Sequence, residues 1–243
     1  MSNMPALAVS AQFGQGTAPD HVALHAPFIP WTDLKLPLKQ CEKGNWIITQ
    51  GDKVVSLYIL REGAVLITRL SADCRETILG ILGPGDYFGD LPLLNGGIAS
   101  FNALAIQRTV LLMMPCVMFK KLLDDRAACR FLMTGLASRC DDAWTQMEAL
   151  GYTHVQDRVQ VLLAWLCAKI GVRTHDGVKI NLNQAQLAQM VGTTRETVNR
   201  VVQNLKRKGI LAASRNSGRR EALLVLAPDR LNSLYQSDCD NWS

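Results

Sequence analysis

The chain has 243 residues, 48% of them hydrophobic, a mean hydropathy of +0.07 and a formal net charge of +5; that length can bury one large core or two modest ones, and two domains are expected. No apolar run of about 18 residues is present and no basic stretch followed by an apolar one opens the chain, which argues against a membrane span or a signal peptide and for a cytoplasmic protein. The charge is uneven: residues 1–150 carry 13 Lys and Arg against 14 Asp and Glu, whereas residues 151–243 carry 13 against 7, a cationic C-terminal part of the kind that counterion release from DNA favours.

Residues 1–27 are rich in Ala, Ser, Gly and His with little periodicity, and read as a flexible N-terminal arm. From Trp46 the pattern changes to short β-type runs: 46–50, 56–70, 76–82, 87–94 and 103–114. Turn signals separate them at Gly51-Asp52, Glu62-Gly63, Gly83-Pro84-Gly85-Asp86 and Asn95-Gly96-Gly97. Many short strands at close spacing predict a β-roll or jelly-roll domain over 28–116. Seven cysteines, at 41, 74, 116, 129, 140, 167 and 239, form no CxxC and no close pair. That spacing suits neither a disulfide framework nor a zinc site, and redox sensing by a single thiol stays open.

Residues 117–151 read as one long helix without a Pro and with a single Gly at 135. Leu132, Leu136, Cys140, Ala143, Met147 and Leu150 follow at intervals of 4, 4, 3, 4 and 3, the seam of a two-stranded coiled coil. A seam of about three heptads can pack on a second copy or on its own roll. The roll has a core of its own and a reader of palindromic DNA needs a two-fold partner, so the helix is read as the dimer helix.

Gly151-Tyr152 marks a hinge, and the last domain spans 152–243. Val159, Leu162, Leu163, Leu166 and Ile170 form an amphipathic helix that ends at Gly171, before an exposed turn over 173–177 and a strand-like stretch at 178–182. Residues 183–208 then divide into two helical patterns around Gly192, with Asn183 as N-cap of the first and Thr193 or Thr194 as N-cap of the second. The second helix buries Val198, Val201, Val202 and Leu205 and turns Arg195, Glu196, Asn199 and Arg200 outward, with Lys206, Arg207 and Lys208 at its end. Arg donates to the O6/N7 edge of guanine, Glu accepts from cytosine N4 and Asn pairs with adenine, so one face holds the groups that read a major groove. The plain alternative is a winged helix used for protein contacts. After Gly209, residues 210–214 and 222–226 flank a turn carrying Arg215, Arg219 and Arg220, a β-hairpin wing whose cations suit phosphates.

Thr194-Arg195-Glu196-Thr197-Val198 with Arg200, preceded by 186–192 and followed by 205–211, resembles the helix-turn-helix of the Crp–Fnr superfamily, and the likeness extends from about Pro37 to Leu226. The resemblance implies that Arg195, Glu196 and Arg200 read a TGTGA-type half-site, as in the branch of the cyclic-AMP receptor protein. It also implies a cyclic-nucleotide-binding-type roll, to which the spacing of Gly51, Gly63, Gly85 and Gly89 is similar. In nucleotide-binding members a Gly–Glu pair holds the ribose and an Arg–Ser pair the cyclic phosphate; here those places carry Gly89-Asp90 and Ser100-Phe101, and the Thr–Ser pair beside the adenine is replaced by Ala143 and Trp144. A phosphate without its guanidinium loses its strongest charge-assisted partner, so cyclic AMP is not expected. An N-terminal cysteine group for an iron–sulfur cluster is absent, and His21, His25, His154 and His175 lie outside the segment 85–95 that would supply a haem ligand. A loop similar to Thr174, His175 and Gly177 contacts RNA polymerase in the cyclic-AMP receptor protein, which makes these residues candidates for an activating surface; the plain reading is a tight Asp-Gly turn.

The expected protein is therefore α+β: an effector-type β-roll, a long coiled-coil dimer helix and a C-terminal winged helix-turn-helix. It is a homodimeric regulator, an activator by family habit, whose partners are double-stranded DNA, a second copy and RNA polymerase; the sequence leaves open a ligand-independent protein controlled by its abundance or a sensor of another ligand, a cyclic dinucleotide, a hydrophobic metabolite or a redox signal. No paired carboxylates with a His, nucleophile elbow, phosphate loop or metal-spaced cluster supports an enzyme or a resident metal.

Overall fold

Between Leu38 and Pro115 the chain folds into a β-roll because its apolar runs have two sides to bury. The structure, a computed structural model, describes residues 35–213, 222–228, 230 and 231. Strands β1 (Leu38–Cys41), β2 (Trp46–Ile48), β3 (Ser56–Glu62), β4 (Val65–Leu70), β5 (Glu76–Leu82), β6 (Tyr87–Phe88), β7 (Asn102–Ala105) and β8 (Thr109–Pro115) form two four-stranded antiparallel sheets, ordered β1-β8-β3-β6 and β2-β7-β4-β5, with helix α1 (Asp90–Leu94) between β6 and β7. One residue in two points inward: Leu60, Val65, Leu82, Phe88, Ala103, Ala105 and Leu111 fill the space between the sheets. The alternate residues are buried as well. Leu57, Ile59 and Met114 lie under the helices that follow, and Leu66 and Ile81 lie under the C-terminal domain. Strands covered on both faces read as continuous apolar runs.

The helix expected to run unbroken from 117 to 151 is two helices. Helix α2 (Cys116–Leu122) ends, and α3 (Arg126–Gly151) restarts after Asp125, whose carboxylate accepts from the backbone N–H of Ala127 at 3.4 Å and of Ala128 at 3.1 Å. An Asp that caps a new helix satisfies donors that a continuous helix would not leave free. The seam also begins one residue later than expected. Leu132 is only 8% exposed and packs with Phe131 and Tyr87 on its own roll, so it is not a seam residue. Ala128, Leu132, Gly135, Arg139, Asp142 and Ala149 turn toward the same chain, Gly135 lying against the ring of Tyr87. The other face presents Met133, Leu136, Cys140, Ala143, Trp144, Met147 and Leu150 to solvent. Met133, Trp144 and Met147 are each about two-thirds exposed.

The C-terminal domain is built on α4 (Val155–Ile170), where Val159, Leu162, Leu163, Leu166 and Ile170 are buried as their spacing predicts. Around it lie β9 (Val172–Thr174), β10 (Gly177–Ile180), α5 (Gln184–Met190), α6 (Arg195–Arg207), β11 (Leu211–Ala213) and β12 (Leu223–Val225), the strands forming a sheet ordered β11-β12-β10-β9. Its core continues into the roll through Ala64, Leu66, Ile81 and Ile106. Among the described residues no helix is long and apolar enough to cross a membrane.

Candidate nucleic-acid interface

The two helices around Gly192 are fixed by local signals. Asn183 and Gln186 form a reciprocal capping box, the Gln186 N–H donating to Asn183 Oδ1 at 2.8 Å and the Asn183 N–H to Gln186 Oε1 at 3.0 Å. After α5 the Thr193 N–H donates back to the Ala188 carbonyl at 2.9 Å, closing the turn. Thr194, not Thr193, caps α6, accepting from the Thr197 N–H at 3.3 Å. Val198, Val202 and Leu205 are fully buried, and each such side chain contributes about 1.5–3 kcal/mol. A charge at Val202 would lift α6 off the domain.

That anchoring leaves the opposite face open. Arg195, Glu196, Asn199 and Arg200 are all exposed, Lys206 is half-buried, and Arg207 and Lys208 are exposed at the C-terminal end. Asn199 accepts from Gln203 at 3.5 Å, while Arg195, Glu196 and Arg200 hold no hydrogen bond or ion pair between side chains of the described residues. The structure thus brings residues 195, 196, 199 and 200 onto one helix face, with Thr194 at its head. Strands β11 and β12 pair as the sides of the wing, and Arg215, Arg219 and Arg220 lie outside the described residues. So do the arm 1–27 and Cys239.

The effector-type segment is arranged in the opposite sense. Gly89 leads into α1, and Asp90, 3% exposed, is held fork-to-fork by Arg139 of α3, with Nη2–Oδ2 at 2.5 Å and Nη1–Oδ1 at 3.1 Å. The guanidinium also lies 4.7 Å from the Tyr87 ring centre, and the Tyr87 hydroxyl donates to the Leu132 carbonyl. Burial disfavours the charge of Arg139, but the hydrogen bonds and charge of Asp90 outweigh it and raise its pKa further; burial likewise pushes the Tyr87 hydroxyl up to about 12. A ligand hydroxyl pair reaching for Asp90 would have to displace a bidentate guanidinium. Phe101 is in the roll core, and Ser100 is exposed, its carbonyl accepting from Arg69 Nε at 3.0 Å. Ala143 and Trp144 stand on the outward face of α3. Within one chain, therefore, Asp90 and Phe101 are buried while Ser100, Ala143 and Trp144 are exposed. Among the described residues, no three His, Cys, Asp or Glu side chains gather to hold a metal ion.

Thr174, His175 and Gly177 sit on the β9–β10 hairpin. Thr174 Oγ1 donates to the Gly177 carbonyl at 2.9 Å, and His175 and Asp176 form the exposed tip. Gly177 faces inward, at φ 143°, where a Cβ would run into the Val225 carbonyl, so its residue type is set by packing. The sequence reading missed the tethers of the reader. Arg158 donates from Nε to the Tyr152 carbonyl at 2.6 Å and from Nη1 to the Val191 carbonyl at 3.4 Å, tying the hinge to the turn of the helix-turn-helix. Lys169, Trp165 and Asp142 were missed too, because a lone charge in sequence does not name its partner.

A sequence profile of the cyclic nucleotide-binding domain matches residues 38–126, and one of the Crp-like helix-turn-helix domain matches residues 157–234. The chain is similar to the cyclic AMP receptor protein of Thermus thermophilus, 31% identical over 176 residues, which is 70% of this chain and 76% of that protein. It is also similar to the global nitrogen regulator of Synechococcus elongatus, 29% identical over 184 residues, or 74% and 83% of the two chains. Among solved structures, FixK2 from Bradyrhizobium japonicum superposes with a TM-score of 0.67 at 25% identity, over 83% of this chain and 98% of that one. Roll, long helix and winged reader match in order along most of the molecule, and the chain belongs to the Crp–Fnr family of DNA-binding transcription regulators.

Proposed function

We propose that the chain is a homodimeric, sequence-specific regulator, an activator, that reads a palindrome of TGTGA-type half-sites with α6 and does so without cyclic AMP. The observation that carries the reading is the set Arg195, Glu196 and Arg200, exposed and, among the described residues, unpaired, on a helix whose other face buries Val198, Val202 and Leu205. These three residues read base edges, Asn199 and Thr194 meet neighbouring bases or phosphates, and Lys206, Arg215, Arg219 and Arg220 hold the backbone. The apolar stripe from Met133 to Leu150 supports a second copy as the partner of α3, since a contiguous row of exposed Met, Leu and Trp side chains is costly to leave in water. The exposed tip at His175 is the surface offered to RNA polymerase.

The Asp90–Arg139 pair and the absence of an Arg at position 100 favour a roll that works without a cyclic nucleotide, in a protein controlled by its abundance. A different ligand, a cyclic dinucleotide or a hydrophobic metabolite, is the second reading. Selection of bound sequences from random duplex DNA by the ligand-free protein tests the proposal. Enrichment of TGTGA half-sites in a two-fold arrangement is the expected result; enrichment of an unrelated motif, or none, counts against it.

A further inference from the structure

A reader with the right face must also be in the right place. Three parts of the molecule meet at one half-buried ammonium. Lys169, near the end of α4, stands 2.9 Å from Asp86 Oδ2 of the roll and 2.8 Å from Asp142 Oδ2 of α3. Asp142 accepts a further hydrogen bond on Oδ1 from the Trp165 indole N–H at 2.9 Å, and Asp86 accepts from the Gly83 N–H at 2.8 Å. The three charged side chains are 11%, 14% and 19% exposed, for Lys169, Asp86 and Asp142 respectively. Burial alone disfavours the charged Lys, and the two carboxylates more than restore it.

The contacts beside this node are of two kinds. The apolar surface shared by Leu66, Ile81 and Ile106 with the C-terminal domain holds the domain on the roll but is not directional. The polar tethers are directional: Asn181 Nδ2 donates to Gln107 Oε1 at 2.5 Å, and Gln189 Nε2 donates to the Glu76 carbonyl. At Gly83 a Cβ would strike the Lys169 carbonyl, so the end of α4 rests directly on the roll. Of these tethers, only Lys169 joins the domain to both the roll and the long helix through charge. A half-buried, hydrogen-bonded ion pair is directional where the apolar contact is not.

For a dimer on DNA, orientation is spacing. Two readers must enter major grooves about one helical turn apart, and a reader that swivels on its helix meets its half-site out of phase. From this geometry we infer that Lys169 is a positioning residue: by bridging Asp86 and Asp142 it fixes where each reader sits on the dimer helix and so sets the half-site spacing that the dimer accepts. The inference rests on the dimeric DNA reading above and adds to it what selects the spacing.

The test measures equilibrium binding of the full-length protein, at fixed salt, to palindromes of TGTGA-type half-sites whose central spacer is lengthened or shortened one base pair at a time. The wild-type protein prefers one spacing over its neighbours by about tenfold or more, as expected when two sites are rigidly linked. In Lys169→Met the best spacing is bound about tenfold more weakly and the preference among neighbours falls to within about threefold, while discrimination against a base change inside a half-site stays as in the wild type. Asp142→Asn keeps an acceptor for Trp165 and removes one charge; it shifts the spacing profile in the same direction by less, and it carries the test if Lys169→Met does not fold. A folded variant that keeps the wild-type spacing profile overturns the inference, and so does one that loses half-site discrimination and spacing preference together. If the wild-type protein shows no half-site preference at any spacing, the DNA reading itself fails and the inference falls with it.

Discussion

The reading face of α6 and the segment from Asp86 to Phe101 resemble the same relatives, yet their side chains are in opposite states. On α6 Arg195, Glu196 and Arg200 are exposed and, among the described residues, unpaired, while the helix behind them is anchored by Val198, Val202 and Leu205. In the roll segment the acid that would face a ligand is buried and already paired, and the position that would supply a guanidinium carries Ser100. An open polar face is ready for a partner from outside; a satisfied buried pair has its partner within the chain. The contrast teaches that likeness along the chain does not leave polar groups equally free for a partner.

The largest effect is expected from opening the closed site. Arg139→Met leaves Asp90 buried without its partner, which costs about 3–5 kcal/mol, a large share of a domain's stability. Thermal unfolding should show a lower midpoint; an unchanged midpoint would mean that the pair is not what holds α1 to α3. The open site should respond in specificity instead. Arg195→Ala is expected to lose about 1–3 kcal/mol of preference for TGTGA over a changed half-site, with unaltered thermal stability, because the side chain is exposed. Comparing binding with melting for the two variants separates a reading residue from a structural one.

A smaller effect belongs to the cap. Thr194→Ala removes the acceptor for the Thr197 N–H and is expected to cost about 1 kcal/mol of stability, with weaker binding to all sequences alike. Titration sharpens the contrast further. Burial pushes the Cys167 thiol from 9.0 up to about 12, so the folded state holds this proton more tightly than the unfolded chain. The resulting stability is complete below about pH 9 and is lost as pH rises toward about 12. Denaturant unfolding followed from pH 8 upward should show this loss in the wild type and less of it in Cys167→Ala. A thiol reagent at pH 8 should label exposed Cys74 well before Cys167.

What was legible in the sequence was local. Asn183 and Thr194 announce two helix starts, and the spacing of Val198, Val202 and Leu205 assigns the buried face of α6, leaving Arg195, Glu196 and Arg200 outward without any tertiary information. The strands were legible through their turns, but not the sheet faces, since both sides of β3 and of the Ile81–Leu82 end of β5 are covered. The long helix misled in two ways. Apolar residues run through Leu122 and Leu123 and hide the break that Asp125 caps. Phe131, Leu132 and Met133 are consecutive and apolar, so periodicity could not say which belonged to the roll and which to the outward stripe. The ion pairs were beyond reach for a different reason. Arg139 lies 49 residues from Asp90, and Lys169 lies 83 from Asp86, so only the fold decides that these charges meet.

The most direct measurement is the affinity of the purified, ligand-free protein for a TGTGA palindrome and for a scrambled duplex at fixed salt, repeated with saturating cyclic AMP. An open reader beside a closed effector segment predicts a strong preference for the palindrome without ligand and no change on adding the nucleotide. A preference that appears only when cyclic AMP is present would contradict it.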